Sequence, residues 1–372
     1  MNTLNEKIPQ KIKKIAVLVS GGVDSSVALA LLKEQGHDVT AFYLKIWLED
    51  ELSYLGSCPW SQDLEFVQAV CQKLDVPLQI ISMQQLYHDR VVSYMLREIK
   101  LGRTPNPDIL CNQQIKFGAF YDAIDASFDY VATGHYARIE HHPDVSILKK
   151  GVDPVKDQTY FLAYLSQAQL KKALFPIGHL QKSEVRAWAK KFDLPTAERK
   201  DSQGICFLGK FNFADFVQAH FGTRVGEIVE FETKKVLGIH QGYWFYTIGQ
   251  RQGLGLSAGP WYVVSKDVEK NVVLVSKNYD AVAEHKRGMI VRDFSWNQNV
   301  PHPREGGDPY PSFDVRFRHG PAVYACEVSA IADSRMQILL IPESKQGIAE
   351  GQFAVLYHGD VCLGGGVIDQ AL

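Results

Sequence analysis

The sequence predicts an α/β protein with three parts: an N-terminal doubly wound parallel sheet, a small central β-rich domain and a C-terminal β-barrel. In the first half, apolar runs with strand character alternate with amphipathic helices, the pattern of a parallel sheet covered by helices on both faces. The run at residues 15–19 is apolar throughout, as expected for a strand buried on both faces. After about residue 225, short strands at even spacing replace the helices, which favours barrels.

The individual elements follow from hydrophobic periodicity. Strands are predicted at 15–19, 39–44, 78–83 and 130–133. Helices are predicted at 23–32, from Ser61 to about 74, up to about 101, at about 115–124 and from Ser183 to 192. Short strands between 225 and 275 belong to the central domain, and those between 289 and 368 to the barrel. We therefore expect domains at 1–209, 210–281 and 282–372, with an irregular loop at 297–312.

The composition of the 372 residues is that of a soluble globular protein, with 46% hydrophobic and 22% charged residues. No apolar stretch is long enough to cross a bilayer, and the polar N-terminus does not resemble a secretory signal. We expect a cytoplasmic protein without membrane contact. The net charge of −2 does not by itself indicate nucleic-acid binding, so an RNA partner would need a local basic face.

The six cysteines include no C-x-x-C pair, which argues against a zinc ribbon or a thioredoxin-type site. Cys71 falls on the apolar face of a predicted helix, and Cys326 and Cys362 fall in predicted strands, so we expect these three in the core. Cys111 and Cys206 lie among proline, glycine and charged residues, where burial is less natural. Cys58 has no assigned role.

A glycine- and serine-rich loop, Ser20-Gly-Gly-Val-Asp-Ser-Ser26, lies between the first predicted strand and helix. Glycines there let the backbone approach a phosphate, and the helix N-terminus offers free N–H groups and a positive dipole end. The loop lacks the lysine of a Walker A motif. Asp24 is a poor direct partner for phosphate, and it either holds the loop or binds Mg²⁺. By the switch-point rule, ligands should lie at the carboxyl ends of the strands.

This loop resembles that of the pyrophosphatase-loop ATPases, which cleave ATP between its α and β phosphates. The resemblance implies an adenine-nucleotide alpha-hydrolase-like fold for the first domain, an adenylated intermediate and pyrophosphate as a product. Those ATPases include sulfur transferases, amide-forming synthetases and NAD synthetases. The loop alone does not identify the substrate.

Two cysteine-bearing segments offer further chemistry. In Gly102-Arg-Thr-Pro-Asn-Pro-Asp-Ile-Leu-Cys-Asn112, two prolines stiffen the backbone and Asp108 precedes Cys111 by three residues. A thiol near a helix N-terminus ionises more readily, and Asp108 is placed either to accept a proton or to hold a nucleobase. In Asp201-Ser-Gln-Gly-Ile-Cys-Phe-Leu-Gly209, glycines flank Cys206 and two basic residues precede the segment, a setting suited to a reactive thiolate.

The strings GRTPNPDILCN, ATGHYAR (132–138), KDQTYFL (156–162), DSQGICF (201–207) and YTIGQRQGLG (246–255) resemble the tRNA-specific 2-thiouridylase (MnmA) family, in order and over nearly the whole chain. The resemblance implies a tRNA-uridine 2-sulfurtransferase that adenylates C2 of the wobble uridine, position 34, with ATP and Mg²⁺. It implies Cys206 as the persulfide carrier, Cys111 as the partner nucleophile and Asp108 as the candidate acid/base. A Cys111–Cys206 disulfide is a possible intermediate.

The resemblance also implies binding residues for both substrates. The implied ATP site consists of Leu18, Val19, Ser20, Gly21, Gly22, Val23, Asp24, Ser25, Leu44 and Gly134. The implied tRNA contacts are Asn106, Pro107, Asp108, His135, Lys156, Asp157, Gln158, Arg316, Phe317 and Gln352. The sulfur must come from an upstream persulfide donor, either a sulfur carrier or a cysteine desulfurase.

Two alternatives remain at this point. An amide-forming synthetase accounts for the phosphate loop but for neither cysteine segment. An RNA-binding or redox-sensing protein with an inactive nucleotide site accounts for the β domains but not for the intact loop.

Overall fold

A computed structural model describes residues 12–46, 59–200, 213–278, 287–297, 310–331, 335–341 and 347–372. Its strands are β1 (Lys14–Leu18), β2 (Asp38–Lys45), β3 (Leu78–Ser82), β4 (Tyr130–Ala132), β5 (Ala137–His141), β6 (Ser146–Lys150), β7 (Ala173–Leu174), β8 (Gly226–Glu230), β9 (Val236–His240), β10 (Tyr262–Asp267), β11 (Val272–Ser276), β12 (Gly288–Trp296), β13 (Tyr310–Arg316), β14 (Tyr324–Ile331), β15 (Arg335–Ile341), β16 (Phe353–His358) and β17 (Val361–Ala371).

Its α-helices are α1 (Val23–Glu34), α2 (Pro59–Leu74), α3 (Gln84–Tyr87), α4 (Ser93–Lys100), α5 (Pro107–Leu110), α6 (Phe120–Ala123), α7 (Thr159–Leu162), α8 (Gln167–Leu170), α9 (Lys182–Lys191) and α10 (Phe213–Phe221). Two π-helical stretches, His88–Val92 and Cys111–Ala119, continue α3 into α4 and α5 into α6. A 3₁₀ turn covers Tyr243–Phe245.

The chain divides into two compact units that are not contiguous in sequence. The first unit contains 1–86, 112–159 and 167–209, and the second contains 87–111, 160–166 and 210–372. The predicted domain boundaries near 209 and 281 lie outside the described residues and stay predictions. The sequence did not indicate that 87–111 groups with the C-terminal part of the chain.

In the first unit, a five-stranded sheet has the order β3-β2-β1-β4-β7, and all its pairs are parallel. This confirms the predicted doubly wound parallel sheet. β1 is almost wholly apolar because it lies in the middle of the sheet, and α1 is buried on nearly every face from Val23 to Leu32. The helix packs within a hydrophobic core of this unit, with Val67 and Val70 of α2 and Val185 and Ala189 of α9.

In the second unit, residues 226–276 form a mixed four-stranded sheet of order β10-β11-β8-β9 around a small core that includes Val263, Val273 and Trp261. The last six strands follow the order β12-β15-β14-β13-β16-β17, and β12 also pairs with β17, so this sheet closes into a barrel. The predicted central β-rich domain and C-terminal barrel are both confirmed.

Two local expectations need correction. The predicted helix at about 115–124 begins earlier, at Pro107, because Asn106 caps it and proline suits the first helical position. The predicted irregular loop at 297–312 ends before β13 begins at Tyr310, and residues 298–309 lie outside the described part. Among the described residues, no helix is long and apolar enough to span a bilayer.

The seam of the barrel generates a stability prediction. Gly364 pairs with Trp296 at a backbone φ of +142°, and a Cβ there would lie 2.1 Å from the Ser295 carbonyl oxygen. We expect Gly364→Ala to cost about 2–3 kcal/mol, measured by urea unfolding with tryptophan fluorescence.

The matched control is Gly359→Ala, also at positive φ (+62°) but with no atom within 4 Å of the added Cβ. Its cost should be only about 1 kcal/mol, the conformational penalty alone. Equal losses in the two variants would contradict the close contact at the seam.

Candidate functional site

The glycine- and serine-rich loop is closed on itself by its serine hydroxyls. Ser25 Oγ accepts from the Ser20 N–H at 3.2 Å, and the Ser25 and Ser26 hydroxyls donate to the Gly22 carbonyl at 3.2 and 2.8 Å. Gly21 adopts a φ of +75°, which glycine reaches without strain. The loop therefore leads directly into the N-terminus of the twelve-residue helix α1, where unpaired N–H groups favour an anion.

Asp24 holds the loop to the rest of the first unit. Its Oδ1 accepts from Lys182 Nζ at 2.7 Å and from the Tyr136 hydroxyl at 2.8 Å, and Oδ2 lies 2.9 Å from the same lysine. Lys182 is the first residue of α9, and its Nζ also lies over the Tyr136 ring. The sequence analysis missed Lys182, since nothing local marks a lysine 158 residues away as a partner of this loop.

Gly134, an expected ATP residue, follows β4 and faces the start of α1. A Cβ at this position would lie 2.5 Å from the Ser25 nitrogen and 2.7 Å from the Asp24 carbonyl carbon. Only glycine lets the backbone after β4 approach the loop this closely. Leu18 and Leu44 lie at the carboxyl ends of β1 and β2, so the expected ATP residues meet at one edge of the sheet.

Arg199 ties the chain just before the second cysteine segment to the loop. Its Nη1 donates to the Gly21 carbonyl at 2.6 Å, its other terminal nitrogen pairs with Asp63, and its guanidinium lies over the Phe66 ring. Arg186 donates to the backbone carbonyls of Ala197 and Arg199. Cys206 itself lies outside the described residues, as does Cys58.

The first cysteine segment begins a helix earlier than its composition suggested. Asn106 Oδ1 accepts from the Ile109 N–H at 3.4 Å, Pro107 is the first residue of α5, and Asp108 lies partly exposed in the first turn. Cys111 follows α5 and is only 1% exposed. The expectation that burial is less natural for Cys111 was wrong. Its neighbours Ile109 and Leu110 are apolar and buried too, so the cysteine belongs to a buried stretch of chain. Cys71, Cys326 and Cys362 are buried as predicted.

Two expected tRNA contacts meet in the second unit. Asn106 Nδ2 lies 3.5 Å from Gln352 Oε1, although 246 residues separate them in the chain. Arg316 is 4% exposed, with its guanidinium over the Tyr357 ring, and Phe317 is buried against Tyr324. The tRNA contacts expected of Arg316 and Phe317 stay predictions.

The remaining expected tRNA contacts belong to the first unit. Asp157 is buried and accepts from the Gly151 N–H at 3.0 Å and from the Thr159 hydroxyl. Gln158 Oε1 accepts from the Tyr136 N–H at 3.0 Å, and the Lys156 N–H donates to Asp153. These bonds order the 156–158 segment next to the residue that contacts Asp24, and tRNA contact by the segment stays a prediction.

His135 lies one residue after Gly134. Its Nδ1 lies 2.7 Å from the Thr133 hydroxyl, and its ring meets Phe175 edge to face. Burial, and secondarily the charge of Lys116, lower the pKa of His135 well below its usual value of 6.5. The imidazole is therefore neutral near pH 7, and any contact it makes with RNA is a hydrogen bond rather than an ion pair.

The lowered pKa of His135 predicts a pH dependence of stability. Below about pH 6.5, His135 binds a proton in the unfolded chain but not in the folded chain. The contribution of His135 to the free energy of unfolding is therefore present above about pH 6.5 and is lost as the pH falls. Urea unfolding between pH 5 and 7.5 should show a shallower pH slope for His135→Gln than for the wild type. Equal pH slopes for the two proteins would contradict a lowered pKa at His135.

A parallel α/β sheet with a closed serine-glycine loop at a helix N-terminus defines a nucleotide-binding domain, here followed by two β domains. The family described as "tRNA methyl transferase HUP domain" matches residues 13–210, "tRNA methyl transferase PRC-barrel domain" matches 214–277, and "Aminomethyltransferase beta-barrel domain" matches 286–368. The tRNA-specific 2-thiouridylase MnmA of Parabacteroides distasonis is 46% identical over 357 residues, covering 95% of this chain and 98% of that protein.

The protein of the same name from Porphyromonas gingivalis is 43% identical over 372 residues, with 95% and 98% covered. The chain therefore belongs to the tRNA-specific 2-thiouridylase family, as its motifs indicated. Among solved structures, the U34-tRNA thiolase NcsA from Methanococcus maripaludis matches with a TM-score of 0.36 at 17% identity, covering 53% of this chain and 64% of that one.

Proposed function

We propose that this protein is a cytoplasmic tRNA-uridine 2-sulfurtransferase, which uses ATP to adenylate C2 of uridine 34 and then delivers persulfide sulfur to give 2-thiouridine, AMP and pyrophosphate. The observation that carries the proposal is the intact loop from Ser20 to Ser26 at the N-terminus of α1, in a chain 46% identical to a named 2-thiouridylase. The names of the relatives support tRNA uridine as the substrate, and the loop supports the use of ATP.

The loop and its neighbours suit the triphosphate of ATP. Gly21 turns the chain at a positive φ, the first N–H groups of α1 would bind phosphate oxygens, and the hydroxyl of Ser20 adds a polar group. Lys182 brings the positive charge that the motif itself lacks. When ATP enters, its phosphates compete with Asp24 for this ammonium, so the ion pair with Asp24 holds the lysine ready at the loop.

The described residues suit Mg²⁺ only as a companion of phosphates. Mg²⁺ usually keeps several waters and binds through one or two carboxylates plus substrate phosphates. Asp24 is the one carboxylate of the loop, and within the described part of the chain no three His, Cys, Asp or Glu side chains cluster to hold a metal. Mg²⁺ bound to ATP would offset phosphate charge.

The first step makes a leaving group. The O2 oxygen of uridine attacks the α-phosphate of ATP, the bond between the α and β phosphates breaks, and pyrophosphate departs. Backbone N–H groups and Lys182 stabilise the charge that develops on the phosphates. Because a base stacked in the anticodon cannot reach such a site, the uridine must be flipped out of its stack.

The second step replaces oxygen with sulfur. The terminal sulfur of the Cys206 persulfide attacks C2, and AMP leaves with the former O2 oxygen. The Cys111 thiolate then attacks Cys206 Sγ, which breaks the persulfide S–S bond, leaves the sulfur on the base and forms a Cys111–Cys206 disulfide. Alternatively, the same attack comes first and releases hydrosulfide as the nucleophile. Asp108, three residues before Cys111, is the candidate acid/base.

The turnover requires partners. An upstream persulfide donor, a sulfur carrier or a desulfurase, must reload Cys206, and a thiol reductant must open the disulfide. Two of the matching family descriptions name a methyl transferase. Methyl transfer needs neither cleavage of ATP at its α-phosphate nor a pair of cysteines, so the loop and the cysteine segments favour sulfur transfer.

The role of Lys182 is testable through pyrophosphate release. Lys182→Met should lower the tRNA-dependent rate about 10- to 100-fold, because one charge-assisted contact to phosphate is lost. The matched control is Lys190→Met on the exposed side of the same helix, which should keep the wild-type rate. A normal rate for Lys182→Met would remove this lysine from the ATP site.

The two cysteines should fail at different steps. Cys206→Ser should release pyrophosphate with tRNA and ATP but transfer no sulfur from any persulfide donor. Cys111→Ser should still accept a persulfide on Cys206, visible as one added sulfur in intact-mass spectra, without multiple turnovers. Added sulfur on Cys58 or Cys326, together with active Cys206→Ser, would overturn the assignment.

A further inference from the structure

The segment that leads to Cys111 lies directly against the C-terminal barrel. Arg103 Nη2 is 3.3 Å from Asp369 Oδ1 on β17, and the Thr104 N–H donates to the Glu350 carbonyl at 2.8 Å. Gly351 has a φ of +87°, and a Cβ there would lie 2.9 Å from Arg103 Cβ. The backbone at Gly351 therefore lies directly against residues 103 and 104 of the segment.

Gln352 makes the central contact of this packing. Its Nε2 donates to the Thr104 carbonyl at 2.9 Å and to the Pro105 carbonyl at 3.2 Å. Its Oε1 lies 3.5 Å from both Asn106 Nδ2 and the Tyr160 hydroxyl. One amide group thus contacts three consecutive residues: its nitrogen reaches the backbone carbonyls of Thr104 and Pro105, and its oxygen faces the side-chain amide of Asn106.

Asn106 continues this contact into the cysteine helix. The Nδ2 of its amide faces Gln352, and the Oδ1 accepts from the Ile109 N–H and caps α5. A cap residue that is held in place keeps the first helical turn formed. Cys111 lies five residues beyond Asn106 and is almost fully buried.

We propose that Gln352 is a positioning residue for Cys111: it holds Asn106, which caps the helix, and so keeps the thiol buried and oriented. The inference rests on the proposed function, in which Cys111 is a reacting group. RNA that bound Asn106 or Gln352 would compete for the same amide atoms. Substrate binding would therefore reach the Cys111 helix through this pair.

Alkylation of the enzyme without tRNA tests the positioning directly. We expect iodoacetamide to label Cys111 at least about 10-fold faster in Gln352→Ala and in Gln352→Glu, because both lose the two donated bonds and the first turn opens more often. Peptide mass spectrometry reads each cysteine separately. Cys326 in the barrel core should keep its wild-type rate in the same samples.

The control variant is Glu327→Gln, an exposed carboxylate on the same barrel, which should leave the labelling of Cys111 unchanged. Faster labelling of Cys326 in Gln352→Ala would mean that the barrel has loosened. In that case Gln352→Glu, which has nearly the same volume as the wild type, is the variant that tests the positioning of Cys111. An unchanged Cys111 rate in Gln352→Glu would overturn the proposal.

Kinetics separate positioning from plain RNA contact. A positioning role predicts that kcat for thiolation falls about 10-fold while KM for tRNA stays within about 3-fold. A raised KM with unchanged kcat would make Gln352 an RNA contact only and sink the proposal. If Cys111→Ser still thiolates tRNA over many turnovers, the proposed function fails at this residue, whereas the labelling rates still decide whether Gln352 holds the helix.

Discussion

Parallel hydrogen bonding of β1 to both of its neighbours is the constraint on which the first unit depends. With β2 on one side and β4 on the other, the ends of all three strands meet at one edge, and every segment that leaves them begins there. The loop after β1 and Gly134 after β4 are neighbours for this reason. The close approach of the backbone at Gly134 to Ser25 then requires glycine, because a Cβ at position 134 would lie 2.5 Å from the Ser25 nitrogen.

Much of this could be predicted because it is local. The apolar run of β1, the helix after it and the loop between them lie within twenty consecutive residues, and the structure contains them where the sequence placed them. The partner of Asp24 could not be predicted, because Lys182 is one of many lysines and reaches the loop only through the fold. The early start of the Cys111 helix was predictable: Asn106, Pro107 and Asp108 are residues favoured at a cap, at the first position and in the first turn.

The charges around Glu98 show a different limit of sequence reasoning. This carboxylate is almost fully buried on α4, and arginines 103 and 292 lie within 4 Å of it. The same two arginines also reach Asp369 near the end of the chain. A buried carboxylate without such partners would cost several kcal/mol, so the four side chains have to be placed together. In the sequence, each of these four charged residues looks like an ordinary surface residue. For this reason the sequence did not indicate that 87–111 packs with the barrel.

The non-contiguous makeup of the two units has a consequence for how such chains are cut and recombined. Family matches divide the chain at about 210 and 280, but the compact unit that contains the barrel also includes 87–111 and 160–166. An N-terminal fragment ending near 209 would keep 87–111 but lose Arg292, so the buried Glu98 would retain, among the described residues, only Arg97 and Arg103 as partners. A barrel borrowed from a relative would in turn have to accept the Arg103 of its new host. We therefore expect chimeras of related chains to fold better when residues 87–111 and 160–166 are exchanged together with the β domains.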